Sequence, residues 1–324
     1  MNKRLLTLLL LMLSNLIYSI DNRFIQKWQK MQEYYLRLSE ILKTNGYSEA
    51  EKTFCHPHWL KTKEHIKRVI LGPPNEQFLK TAHISGTMLR QGINRQQIYE
   101  IYYLLFCISP STKNLINSFK EGYCFDILKE CKEFNCTVNT LGQLYYAVKI
   151  FEQGIPIQTI IEFGGGYGCL AYIFKQYLPQ TTIVLVDLPE LLAIQYLYLQ
   201  LSLPETDIYL HTTAATHMIE QKINLIPVYY LKELNIKPDA FISNFALSET
   251  PAYVQNLVIE KNFFNAQLCY LTGQLNGWNG KFESHNILHS EIPKQYTMIE
   301  FHPFHIMLEK ENLYSYELIG KRKI

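Results

Sequence analysis

The chain has 324 residues, 48% of them hydrophobic, and 31 Lys and Arg stand against 29 Asp and Glu for a formal net charge of +2. That is enough apolar material for one or two globular cores, and the near balance of charge leaves no electrostatic case for nucleic acid as the main partner. The seven cysteines, at 55, 107, 124, 131, 136, 169 and 269, are odd in number and lack the paired C-x-x-C spacing of a zinc site, so they read as free thiols and no metal is expected.

The chain opens with MNKR followed by LLTLLLLML. This is the charged and then apolar pattern of a secretory signal, with Ile17 and Ser19 spaced for a peptidase. It is shorter than the roughly 20 apolar residues of a membrane span. An apolar first helix, giving membrane association through the N-terminus, is the competing reading. Beyond residue 20, Phe24, Trp28, Met31, Tyr35, Leu38 and Leu42 recur every three or four positions, which predicts one helical face, with Gly46 as the stop. LGPP at 71–74 breaks a second helical stretch, and residues 95–106 read as another buried helix. The segment 21–137 is therefore expected to be a helical N-terminal region.

From residue 138 the pattern changes. A helix capped by Asn139 or Thr140, with Leu141, Leu144, Tyr145, Val148 and Phe151 inward, should end at Gly154. Strand-like runs at 157–163, 182–187, 223–227, 240–244 and 267–273 then alternate with helical segments at 168–178, 189–202 and 251–263. Such alternation predicts an α/β fold, a Rossmann-like parallel sheet with helices on both faces, over residues 138–324.

In such a sheet, ligands bind at the carboxyl ends of the strands, and the first strand-to-helix turn is the natural place. Here it reads TIIEFGGGYG, with Gly164, Gly165, Gly166 and Gly168; the third glycine of the dinucleotide fingerprint G-x-G-x-x-G would fall at Cys169. Glycine removes the Cβ atoms that would collide with a ligand on the turn. Glu162, just before it, would repel a pyrophosphate but favour the cationic head of an amino acid. The helix N-terminus that follows can meet a carboxylate of the same ligand. Asp187 closes the second strand 23 residues after Gly164 (187 − 164), where an acidic residue accepts ribose hydroxyls; the alternative is a helix cap ahead of Pro189. A ligand with a ribose and a charged amino acid but no phosphate is S-adenosylmethionine.

Four stretches, NTLGQLYYAVKI (139–150), EFGGGYGCLA (162–171), VDLPELL (186–192) and FISNFALSET (241–250), resemble the bacterial sugar O-methyltransferase family within the class I S-adenosylmethionine-dependent methyltransferases. The likeness covers residues 138–280 and implies transfer of a methyl group to a sugar hydroxyl of a glycan or glycan precursor. It adds Leu188, Asn244 and Tyr145 to the expected cofactor contacts; plain helix packing is the alternative for Tyr145.

Methyl transfer to a hydroxyl calls for a general base. Glu249, after the fourth strand, is the first candidate; capping the helix near Pro251 is its alternative. His285 and His305 are further candidates on the strength of the imidazole pKa, with packing or exposure as the competing account of each. By the same resemblance Asn244 sits where many relatives carry an acidic residue, which weakens the case for a bound Mg²⁺, an ion that prefers carboxylate ligands. Trp278, in NGWNG at 276–280, is suited to stack on a sugar face. A donor made in the cytosol places the chain in the cytoplasm or at the inner membrane face, with export through residues 1–19 as the alternative.

Overall fold

A computed structural model describes residues 21–47, 51–88, 115–123, 136–204, 207–214, 217–274, 292, 294–303 and 315–323. The sequence predicted above for residues 1–20 and 95–106 lies outside them.

The helical region begins with α1 (Asn22–Thr44), whose N-cap Asp21 accepts a hydrogen bond from the Arg23 amide and whose six predicted apolar positions are all buried. Gly46, at φ 77°, turns the chain just past its end. A single turn, α2 (Glu51–Phe54), and then α3 (Pro57–Leu71) follow; α3 stops where LGPP begins, because the residue before a proline is pushed out of the helical region. The short α4 (Ala82–Met88) completes this part among the described residues.

Helix α5 (Val138–Phe151) is capped by Thr137, whose side chain accepts from the Thr140 amide, not by Asn139 or Thr140 as expected. Glu121 accepts from the Thr137 amide (2.8 Å) and the Thr140 hydroxyl (2.7 Å), so the cap is itself anchored. The sheet then builds up through β1 (Thr159–Phe163), α6 (Cys169–Tyr177), β2 (Thr182–Asp187), α7 (Pro189–Ser202), β3 (Ile208–Leu210), β4 (Ile223–Pro227), β5 (Ala240–Asn244), α8 (Ala252–Glu260) and β6 (Leu268–Gln274), ending in β7 (Tyr296–Pro303) and β8 (Ser315–Arg322).

The eight strands lie in the order β3-β4-β2-β1-β5-β6-β8-β7. β3 through β6 pair in parallel, β8 is antiparallel to β6, and β7 is antiparallel to β8, so β8 runs against the rest. The five predicted strands, β1, β2, β4, β5 and β6, are all parallel, as expected, and β8 adds an antiparallel member. β8 can run against its neighbours because antiparallel partners need no crossover connection. This is a Rossmann-like α/β sheet, joined to an N-terminal helical region. Strand order reverses between β1 and β5, which makes the end of β1 the topological switch point.

β1 and β2 are buried almost throughout, as central parallel strands covered on both faces must be. The helical region docks on α7: the Tyr34 and Tyr196 rings lie 5.9 Å apart, and Lys27 Nζ donates to the Gln200 carbonyl. Tyr35 of α1 and Lys63 of α3 reach Glu190 at the start of α7, where β2 ends.

Candidate functional site

After β1 the chain turns through Gly164, Gly166 and Gly168 at φ 78°, 57° and 96°, a region that side chains disfavour. A Cβ at Gly164 would lie 1.9 Å from that of Ala246, so this glycine lets the turns after β1 and β5 pack together. A Cβ at Gly165 would come within 3.1 Å of Leu185, and one at Gly168, the N-cap of α6, within 3.2 Å of Leu199. At Gly166 a Cβ would meet nothing within 4 Å. Three glycines thus answer to packing, and Gly166 faces open space.

Glu162 sits at the foot of this turn. It is 3% exposed and its Oε2 has no hydrogen-bond partner. Burial, reinforced by the charge of Asp187, pushes its carboxyl up to about 8. A buried carboxylate without a partner is costly to ionise; a cation arriving there would remove that cost.

Asp187, on the neighbouring strand, is braced more tightly than the sequence implied. Its Oδ1 accepts from the Leu188 amide (2.8 Å) and its Oδ2 from Gln195 Nε2 (2.7 Å). Burial raises it to about 7, against the pull of Leu188, Gln195 and the Gly165 amide. Leu188 is the N-cap of α7 and lacks a side-chain cap bond, so Asp187 acts on the turn rather than capping the helix. Gln195 also donates to the Gly166 carbonyl (3.0 Å). It therefore ties the glycine turn to the end of β2. Nothing singled it out above, although a lone amide in the apolar run LLAIQYLYL was a usable signal.

Asn244 ends β5. Its Oδ1 accepts from Thr272 (3.3 Å), and its buried Nδ2 has no partner. Phe245 follows at φ 63°, an unusual conformation for a bulky residue. Ser243 secures the turn by donating to the Phe163 carbonyl and accepting from the Leu247 amide, both at 3.0 Å.

Glu249 lies in the short turn after β5 and does not cap α8, whose N-cap is Pro251. Its Oε2 accepts from the indole Nε1 of Trp59 at 3.2 Å. Burial raises it to about 7 while the indole lowers it. Glu190, in the first turn of α7, is met in the same way: Tyr35 donates to its Oε1 (2.8 Å), Lys63 pairs with it (3.6 Å), and its buried Oε2 has no partner. Burial raises Glu190 as well, against Lys63 and Tyr35. Cys55 is close enough to Glu190 and Asp187 that their charges add to the burial that pushes its thiol up to about 12. Trp59 and Glu190 had no role assigned from the sequence, because their partners are more than a hundred residues away.

Tyr145 departs from expectation. Its hydroxyl donates to Glu317 Oε2 on β8 (2.8 Å), whose Oε1 takes the Tyr270 hydroxyl (2.6 Å). Its polar end is thus committed to the sheet. His285, His305 and Trp278 lie outside the described residues. Among the described residues no group of three His, Cys, Asp or Glu side chains is placed to hold a metal ion, and no helix is long and apolar enough to cross a membrane.

No family model and no curated protein matches the chain. Among solved structures it is similar to a Thermoplasma acidophilum protein (15% identity, TM-score 0.38, covering 57% of this chain and 90% of the other). It is also similar to the methyltransferase domain of a bacterial Hen1 (12%, TM-score 0.38, 54% and 95%) and to the glycopeptide N-methyltransferase MtfA complexed with sinefungin (9%, TM-score 0.38, 55% and 92%). At such scores these remain similarities, and the fold assignment stands on the strand order of the chain itself.

Proposed function

We propose that the chain is an S-adenosylmethionine-dependent O-methyltransferase acting on a sugar hydroxyl of a glycan or glycan precursor. The observation that carries the donor is Glu162, a buried carboxylate with an unpartnered oxygen at the switch point of the sheet, beside Gly165, the residue before the open space at Gly166. A pyrophosphate there would meet Glu162 and Asp187 as like charges; an amino acid's ammonium would supply the missing partner. Asp187 and its Leu188 turn would hold the ribose, the N-terminus of α6 the carboxylate, and Asn244 Nδ2 offers one more donor. A nicotinamide dinucleotide fits less well for the same electrostatic reason, and because Cys169, not glycine, opens α6.

The donor supplies a methyl group already activated on a sulfonium. What remains for the chain is to bring the acceptor oxygen into line and to take its proton. Glu249, raised to about 7, is half ionised near neutrality and suits that task. The sugar rests on the resemblance of the four sequence stretches. A donor of cytosolic origin favours residence in the cytoplasm or at the inner membrane face, and N-terminal sequencing of the native protein tests it: a mature start near Ile20 would refute it.

A noncatalytic cofactor-binding module is the second reading. Incubation with the donor and glycans from the native cell separates the two. Mass spectrometry should find a gain of one methyl group on a glycan, whereas donor binding with no methylated product would favour the module.

A further inference from the structure

Helix α3 reaches the rim of the site at two points. Trp59 and Lys63, four residues apart and so on one face of α3, meet Glu249 after β5 and Glu190 after β2. In the sheet, β2 and β5 are the two neighbours of β1. α3 therefore links the two carboxylates that follow the strands flanking β1. Tyr35 of α1 gives Glu190 a second contact at 2.8 Å.

We propose that Trp59 is a positioning residue for Glu249, so that the helical region supplies part of the methyl-transfer machinery and not merely a cover. This rests on Glu249 being the base. The indole takes Oε2, and Oε1 has no hydrogen bond among the described residues, which leaves one carboxylate oxygen for an acceptor hydroxyl. An indole N–H can only donate, so it fixes the carboxylate's orientation without competing for a proton. It also favours the ionised form, the one a base needs. Burial, the larger influence, acts in the opposite direction, and among the described residues no charged side chain adds to the balance. Trp59 is the group that works against burial to keep Glu249 ionised.

The test uses the full chain labelled with ¹⁵N in its tryptophans, three in all. One indole resonance, identified by its loss in Trp59→Phe, should titrate with a midpoint near pH 7, because burial pushes the Glu249 carboxyl it meets up to about 7. Glu249→Gln, which keeps an acceptor but cannot ionise, should abolish that titration. With a panel of methyl glycosides as acceptors, Trp59→Phe should slow transfer at pH 7 about ten-fold, the scale of one hydrogen bond to a charged group, and move the acid limb to higher pH. A structural role alone would lower activity at every pH without moving the limb. An indole that does not titrate, a titration that survives Glu249→Gln, or an unmoved limb overturns the proposal. Calorimetry with S-adenosylmethionine on the same sample judges the donor separately: its failure would count against the methyltransferase reading, while the indole titration still decides the pair.

Discussion

Replacing Glu162 by Gln keeps the shape of the side chain and removes its charge. The carboxyl rises from 4.5 to about 8 on folding, chiefly through burial. Because the folded pKa lies above the unfolded one, the native state binds more protons than the unfolded state between these values, and stability falls as pH rises. The contribution is fully present below about pH 4.5 and is lost by about pH 8; at about 1.4 kcal/mol per unit it reaches a ceiling of about 5 kcal/mol. Glu162→Gln should therefore match the parent in urea unfolding at pH 4.5 and exceed it by several kcal/mol at pH 8. Donor affinity should move the other way: loss of a charge-assisted hydrogen bond to an ammonium costs about 1.5–3 kcal/mol, roughly a ten- to hundred-fold weaker Kd by calorimetry. A more stable protein that binds its ligand less well is the signature of a carboxylate kept for binding. A variant that is no more stable at pH 8 than the parent, or that binds the donor equally well, would refute this reasoning.

Two glycines in the same turn should fail differently. Gly164→Ala forces a Cβ to within 1.9 Å of Ala246 at a positive φ, and should lower Tm clearly in a thermal melt. Gly166→Val meets no neighbouring atom, so its main effect should be loss of donor binding, with a smaller fall in Tm from the strained backbone; equal donor binding in that variant would mean the open space is not the ligand's. Asp187→Ala should weaken the donor by about 1–3 kcal/mol in calorimetry. Unchanged affinity in Asp187→Ala would move the ribose elsewhere.

The central sheet was legible because its strands are buried on both faces: TIIEF and TIVLVD are apolar runs ended by an acid or a glycine turn, and their limits agree with the structure to within two residues. β3 was missed because IYL is three residues long and half exposed. β8 was missed because no regular helix or turn signal marks where the sheet reverses. The left-handed turn at Asn262–Asn265, with φ between 50° and 57°, was equally unreadable. Such residues cost about 1–2 kcal/mol each, offset here by burying Phe263 and Phe264 against Phe241. At the site, Glu162, the glycines and Asp187 were visible since turn chemistry is local. The Trp59–Glu249 and Glu190–Lys63 contacts were not, since a sequence does not say which helix lands on which strand end.

Calorimetry of the unmodified protein against S-adenosylmethionine and, separately, NAD bears most directly on the central claim that the turn from Glu162 to Gly168 holds the methyl donor. The account predicts that S-adenosylmethionine binds, more tightly as pH rises toward 8 and Glu162 ionises, and that NAD does not. Binding of NAD alone, or donor binding indifferent to pH across that range, would contradict it.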